Sequence, residues 1–157
     1  MARETFVKAT RIPASADAVF AWHEAPGAFE RLTPPWEQVR LLHHVGGIRD
    51  GARVIVRVGP WPFGLRWELG HENYQAGRSF TDAQVTGPFR YWKHVHDMIP
   101  EGPDACTLHD AIEYELPFGA VGQAVAGRFF RRKLERLFAF RHAVTLAAFA
   151  APPAAHP

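Results

Sequence analysis

The chain has one cysteine, Cys106, among 157 residues. No intrachain disulfide can form, and a metal site built on several thiolates is excluded. Ser15 and Ser79 are the only serines, and neither stands in a Gly-x-Ser-x-Gly turn. The Gly-x-Gly-x-x-Gly and P-loop fingerprints are also missing. These absences disfavour hydrolase, kinase and dehydrogenase chemistry. Charge of one sign is scarce: 18 Lys and Arg against 16 Asp and Glu leave a net +2, too little to argue for nucleic acid. The one dense basic run, Arg128, Arg131, Arg132, Lys133 and Arg136, contains Glu135 and has the spacing of a solvated helix face, a reading favoured over a nucleic-acid or anionic-lipid role. No nucleic-acid partner is expected. No apolar run is long enough to span a bilayer, so stable membrane insertion is not expected either. Met1 to Thr5 leads straight into an alternating segment with no apolar signal region, and a cytoplasmic protein is the expectation.

What is abundant is hydrophobic and aromatic. Hydrophobic residues make up 47% of the chain and aromatic ones 13%, with 12 Phe and 5 Trp. This suits one domain with a single core or a core holding a modest cavity. Residues 1–149 read as that domain, and 150–157 as a disordered Ala/Pro tail.

The first strand runs from Glu4 to Ile12 and stops at Pro13. Ser15 is positioned to cap a short helix carrying Val19, Phe20 and His23, broken by Pro26-Gly27. A second short helix, Ala28 to Leu32, ends at Pro34-Pro35. Six strand signals follow in close succession: Val39–Val45, Ala52–Val58, Leu65–Tyr74, Arg78–Val85, Phe89–Ile99 and Thr107–Leu116. Connections this short imply an antiparallel meander. From Ala120 to about Ala148 the period changes to that of one long amphipathic helix. Its apolar stripe needs a cover, and a strongly curved seven-stranded antiparallel sheet wrapped around it supplies one. The expected class is α+β.

That element order is the helix-grip pattern, and the chain resembles the START-like, or SRPBCC, superfamily. This group holds polyketide cyclases/dehydrases, lipid-transfer domains and Bet v 1-type carriers. The matching residues are Ile12-Pro13-Ala14 with Val19-Phe20, Leu32-Thr33-Pro34-Pro35-Trp36, Phe80-Thr81-Asp82-Ala83-Gln84, and Gly87-Pro88-Phe89 with Trp92, His94 and His96. Asp110-Ala111-Ile112-Glu113-Tyr114, running into Leu116-Pro117-Phe118-Gly119, and Arg141 complete the set. Together they look like the small bacterial stand-alone subgroup. The resemblance implies a deep apolar cavity between sheet and long helix.

Trp92, His94 and His96 lie two apart and share one face of their strand. They could face solvent, wall a cavity, or supply two ligands to an ion. For an ion the further donors are His71, Asp82, His109 and Asp110, and no spacing singles one out, so no metal and no cofactor is assigned. Asp82 and Asp110 alternate with apolar residues that look inward, and a buried carboxylate needs a partner. Each could be a structural ion pair, or could orient His94 or His96 for acid/base chemistry on a ketide. Arg141 falls on the helix stripe and could meet a ligand carboxylate or snorkel outward. The catalytic candidates are therefore His94, His96, Asp82 and Asp110. The ligand-binding candidates are Trp67, His71, Gln84, Trp92, His94, His96, Tyr114 and Arg141. Trp61, Phe63 and Trp67 flank the Gly59-Pro60 turn and could gate a cavity mouth.

Three functions remain open on the sequence. The first is binding or carriage of a hydrophobic small molecule of lipid, polyketide or isoprenoid-like kind. The second is a cyclase/dehydratase-type enzyme using His94 or His96 as acid/base. The third is a non-catalytic interaction module with a filled core. The expected partner is the hydrophobic ligand, and the chain is read as monomer or homodimer.

Overall fold

A computed structural model describes residues 3–150. The Ala/Pro-rich segment 151–157, expected as a disordered tail, lies outside the described residues. Seven strands form one antiparallel sheet in the order β1-β7-β6-β5-β4-β3-β2. They are β1 (Glu4–Ile12), β2 (Val39–Val45), β3 (Arg53–Val58), β4 (Leu65–Gln75), β5 (Ser79–Thr86), β6 (Tyr91–Pro100) and β7 (Cys106–Glu115). Helices α1 (Ala16–Glu24) and α2 (Ala28–Arg31) join β1 to β2, and α3 (Gly119–Phe149) closes the chain. The helix-grip expectation holds, with element bounds within a few residues of those read from the sequence.

Local chemistry explains the boundaries. Ser15 Oγ accepts the Ala18 N–H at 3.2 Å and starts α1. Gly27 adopts φ 81°, which turns the chain between the two short helices at a conformation that costs glycine little. The buried Pro34, following Thr33, stops any continuation of α2. In β6 the alternation is complete: Trp92, His94, His96 and Met98 are buried, while Tyr91, Lys93, Val95 and Asp97 are less so. The Trp92/His94/His96 face thus looks into the molecule.

Two apolar clusters lie on the concave side of the sheet. One packs Ile12, Val19, Phe20, Phe80, Met98 and Leu108 under α1. The other packs Phe6, Trp92, Ile112, Tyr114, Leu134 and Phe138 under α3. A band of buried polar side chains runs across the sheet between them. Strand register builds it: His71 sits opposite Asp82, Asp82 opposite His94, and His96 opposite Asp110. Each carboxylate thereby stands beside an imidazole from the next strand.

Candidate functional site

The polar band forms one wall of a cavity of about 530 Å³, partly open to the surface. The rest of the lining is mainly apolar, including Val54, Val56, Trp67, Phe89, Trp92 and Phe130. α3 lends Leu134, Leu137, Phe138 and Arg141, and α1 lends His23.

Within the band, the His94 and His96 rings lie with centroids 3.7 Å apart, tilted by 41°, and Phe80 stacks on His96 at 4.2 Å. Both imidazoles meet Asp110, and His96 also bonds Asp82. His96 donates from Nε2 to Asp82 Oδ2 at 3.0 Å, and its Nδ1 sits 2.9 Å from Asp110 Oδ1. His94 donates from Nε2 to that same Asp110 oxygen at 2.7 Å. Its Nδ1 lies 3.8 Å from Asp82 Oδ2, beyond hydrogen-bond reach. His71 Nε2 approaches Asp82 Oδ1 at 2.7 Å. Behind the wall, His142 Nε2 donates to Asp110 Oδ2 at 2.7 Å, and its Nδ1 pairs with the Thr10 hydroxyl at 2.8 Å.

These contacts set the charges. Burial alone would lower the pKa of His96, but the carboxylates of Asp110 and Asp82 outweigh it and carry the value up to about 9. His96 is therefore an imidazolium at neutral pH with both nitrogens engaged. Burial and then the neighbouring His96 charge push His94 down to about 4, so it is neutral. Burial would raise both aspartates. In Asp82 the hydrogen bonds from His71 and His96 overcome it, and in Asp110 the His96 charge and three imidazole contacts do so; both stay well below the usual carboxylate range. His23, buried with Nδ1 donating to Val19 O at 2.8 Å, is held down at about 4 by desolvation.

Arg141 stands apart from these pairs. Its Nε donates to Leu32 O at 3.1 Å, and its guanidinium carbon lies 5.3 Å from the centre of the Phe138 ring. Among the described residues no carboxylate forms an ion pair with it, and burial pulls its pKa down. Arg141 is part of the cavity lining.

The structure brings most of the sequence-derived candidates together. Trp67, His71, Asp82, Trp92, His94, His96 and Arg141 line the cavity. Asp110 lies behind the imidazoles and holds them. Gln84 is placed elsewhere: its side chain turns back to bond both Phe89 O (2.8 Å) and Phe89 N (3.3 Å), satisfying the 87–90 turn. Tyr114 is fully buried under Phe130, ring centroids 5.0 Å apart, and is not in the lining. His109 lies on the other face of β7 from Asp110. Trp61 and Phe63 are bare surface residues and do not gate this cavity. His23, His142 and Thr10 belong to the site and were not among the candidates.

For a metal ion, Asp82, His94 and His96 bring donor atoms within 4.8 Å of one another. His96 Nε2 is hydrogen-bonded to Asp82 Oδ2 at 3.0 Å. His94 Nε2 and His96 Nδ1 both turn to Asp110 instead.

The family model for polyketide cyclase/dehydrase and lipid transport matches residues 12–140. The chain belongs to that family. No curated protein sequence matches it. Among solved structures it is similar to truncated norcoclaurine synthase from Thalictrum flavum, with a TM-score of 0.72 at 14% identity over 96% of each chain. It is also similar to the Zhui aromatase/cyclase of Streptomyces sp. R1128, with a TM-score of 0.63 at 16% identity over 94% of this chain and 92% of that one. A START superfamily protein from Mycobacterium smegmatis matches with a TM-score of 0.66 at 13% identity, over 92% of this chain and 96% of its own. Likeness at this identity establishes the fold, and the family's description spans both chemistry and transport.

Proposed function

We propose that the family member described here binds or carries a hydrophobic small molecule with one acidic end. The observation that carries this reading is an apolar cavity of about 530 Å³ with the Arg141 guanidinium at its wall and no carboxylate paired to it. An apolar body gains by displacing water from Trp67, Phe89, Trp92 and Phe130. A carboxylate gains a charge-assisted hydrogen bond from Arg141, whereas the other basic side chain of the lining, Lys133, is already paired with Glu37 at 3.1 Å. The volume supports a ligand over a filled-core interaction module.

A second reading has its own support. His94 and His96 stand on the cavity wall beside Asp82, and His94 Nδ1 lies 3.8 Å from Asp82 Oδ2, beyond hydrogen-bond reach. In a cyclase/dehydratase-type reaction His94 would take a proton through Nδ1. The His96 imidazolium, held by both carboxylates, would contribute its positive charge beside the reacting group, with Asp110 holding both rings.

The test is a matched pair: a fatty acid and its alcohol of the same length, titrated calorimetrically into wild type and Arg141→Gln. The acid is expected to bind about ten-fold or more tightly than the alcohol, and Arg141→Gln to remove the difference. If neither compound binds, the cavity does not take this class of ligand and the proposal fails.

A further inference from the structure

Outside the cavity, the described surface carries large apolar side chains with nothing on them. Phe63, Val125 and Phe118 are 83%, 83% and 82% exposed, and Phe129, Trp61 and Val121 are 75%, 72% and 69% exposed. Single exposed apolar residues are ordinary, but a group gathered at one end of a molecule calls for a partner. Strand register gathers these. Val58 pairs with Leu65 to close the β3–β4 hairpin, whose tip carries Trp61 and Phe63. Glu68 pairs with Thr86, and Tyr91 with Glu115. The hairpin tip, the 87–90 turn and the Leu116–Phe118 entry to α3 therefore share one end of the sheet. On α3, Val121, Val125 and Phe129 recur every four residues on the side away from buried Leu134 and Phe138.

Unpaired arginines flank these apolar side chains. Arg128 and Arg132 continue the outer face of α3, and both are exposed. Arg40 lies over the Trp61 ring at 5.1 Å, and Arg57 stands at the base of the same hairpin. Among the described residues these four arginines form no ion pair, whereas Arg66, Arg90 and Arg131 are paired with Glu68, Glu115 and Glu135.

We propose that this end is a docking face for an anionic lipid bilayer. The aromatic hairpin tip and the outer stripe of α3 enter the interfacial region, and the unpaired arginines meet lipid phosphates. The combination selects this occupant. A two-fold contact with a second copy through this face would bring eight unpaired arginines, four from each copy, into one interface. A nucleic acid would leave the bare Phe and Val side chains in water, since its backbone offers them nothing. The face also adjoins the cavity: Phe130 follows Phe129, and Pro88 and Phe89 of the 87–90 turn line the cavity wall. A molecule docked this way holds its cavity beside the lipid from which a hydrophobic ligand would come. No described helix is long and apolar enough to cross a membrane, and peripheral docking does not require one.

The experiment is co-sedimentation with vesicles of phosphatidylcholine alone or with about a third phosphatidylglycerol, at low salt and at about 0.5 M salt. Variants are Trp61→Ser/Phe63→Ser and Arg128→Glu/Arg132→Glu, all at exposed positions, with unfolding curves to confirm an intact fold. Wild type is expected to sediment with the anionic vesicles alone and to be released by salt. The arginine pair should lose about 30-fold in partitioning and the aromatic pair about ten-fold. No binding to anionic vesicles, or equal binding by wild type and both variants, overturns the proposal. A dimer by light scattering that Val125→Asp dissolves also overturns it, assigning the face to a second copy.

Discussion

Replacing Asp110 by Asn tests whether the buried polar band is a single electrostatic unit. The substitution keeps shape and removes one charge. Asp110 Oδ1 receives His94 Nε2 at 2.7 Å and lies 2.9 Å from His96 Nδ1, while Oδ2 receives His142 Nε2 at 2.7 Å. An asparagine presents an oxygen on one side only. Its amide N–H groups confront an imidazole N–H on the other side, and His96 loses one of its two carboxylates. Breaking a buried pair while leaving the partner in place costs about 3–5 kcal/mol, against a total stability of about 5–15 kcal/mol. For a chain of this size that corresponds to a fall in melting temperature of about 6–20 °C. Urea unfolding followed by tryptophan emission measures it. The pH dependence identifies the cause. In wild type His96 has its pKa raised from 6.5 to about 9, so its contribution is fully present below the ordinary value and is lost as pH rises through about 9. In Asp110→Asn that raised pKa falls, and the alkaline decline moves to lower pH. The gap between the two proteins should be widest in mildly acidic solution, below about pH 6.5, and narrow as pH rises towards about 9. A loss under about 1 kcal/mol, or parallel pH profiles, would refute the account of the band as a charge-coupled unit.

Two further outcomes follow from packing. Phe138 is 1% exposed and packs edge-on to His94 at 5.2 Å and against Phe6 at 5.5 Å, so Phe138→Ala should cost about 3–5 kcal/mol in urea unfolding; a loss below about 1 kcal/mol would show that α3 collapses into the gap. A Cβ at Gly87 would fall 2.3 Å from Trp67 Cδ1, so Gly87→Ala should shift Trp67, alter the near-ultraviolet circular dichroism and weaken fatty-acid binding, and an unchanged spectrum would contradict that placement.

The fold was legible because its signals are local. Alternation in β3 and β6, proline stops after β1 and α2, and the change of period after Pro117 are each read within about ten residues. Which face of β6 turns inward was not local. Both faces mix polar and apolar side chains, and Trp92, His94 and His96 are read equally well as solvated or buried until the partner strands are known. Register decides it, by placing Asp82 opposite His94 and Asp110 opposite His96. Gln84 shows the converse. Its position on the inward face of β5 was readable, but the unsatisfied backbone of the 87–90 turn claims its amide.

His142 was the readable residue that went unread. Leu134, Phe138 and His142 recur every four residues along the buried line of α3, the same test that drew attention to Arg141 one position earlier. A histidine on a stripe that otherwise buries Leu and Phe must find a partner, because an unpaired imidazole there costs more than its packing returns. Among the described residues, Asp82 and Asp110 are the acids on inward-facing strand positions near the middle of the sheet. His142 reaches Asp110, and Thr10 from the neighbouring β1 completes it. The arrangement thus ties the long helix to the sheet through the carboxylate that holds both cavity imidazoles. A ligand that pushes α3 outward must strain the same hydrogen bonds that fix His94 and His96, so occupancy of the cavity and the state of its polar wall are mechanically one variable.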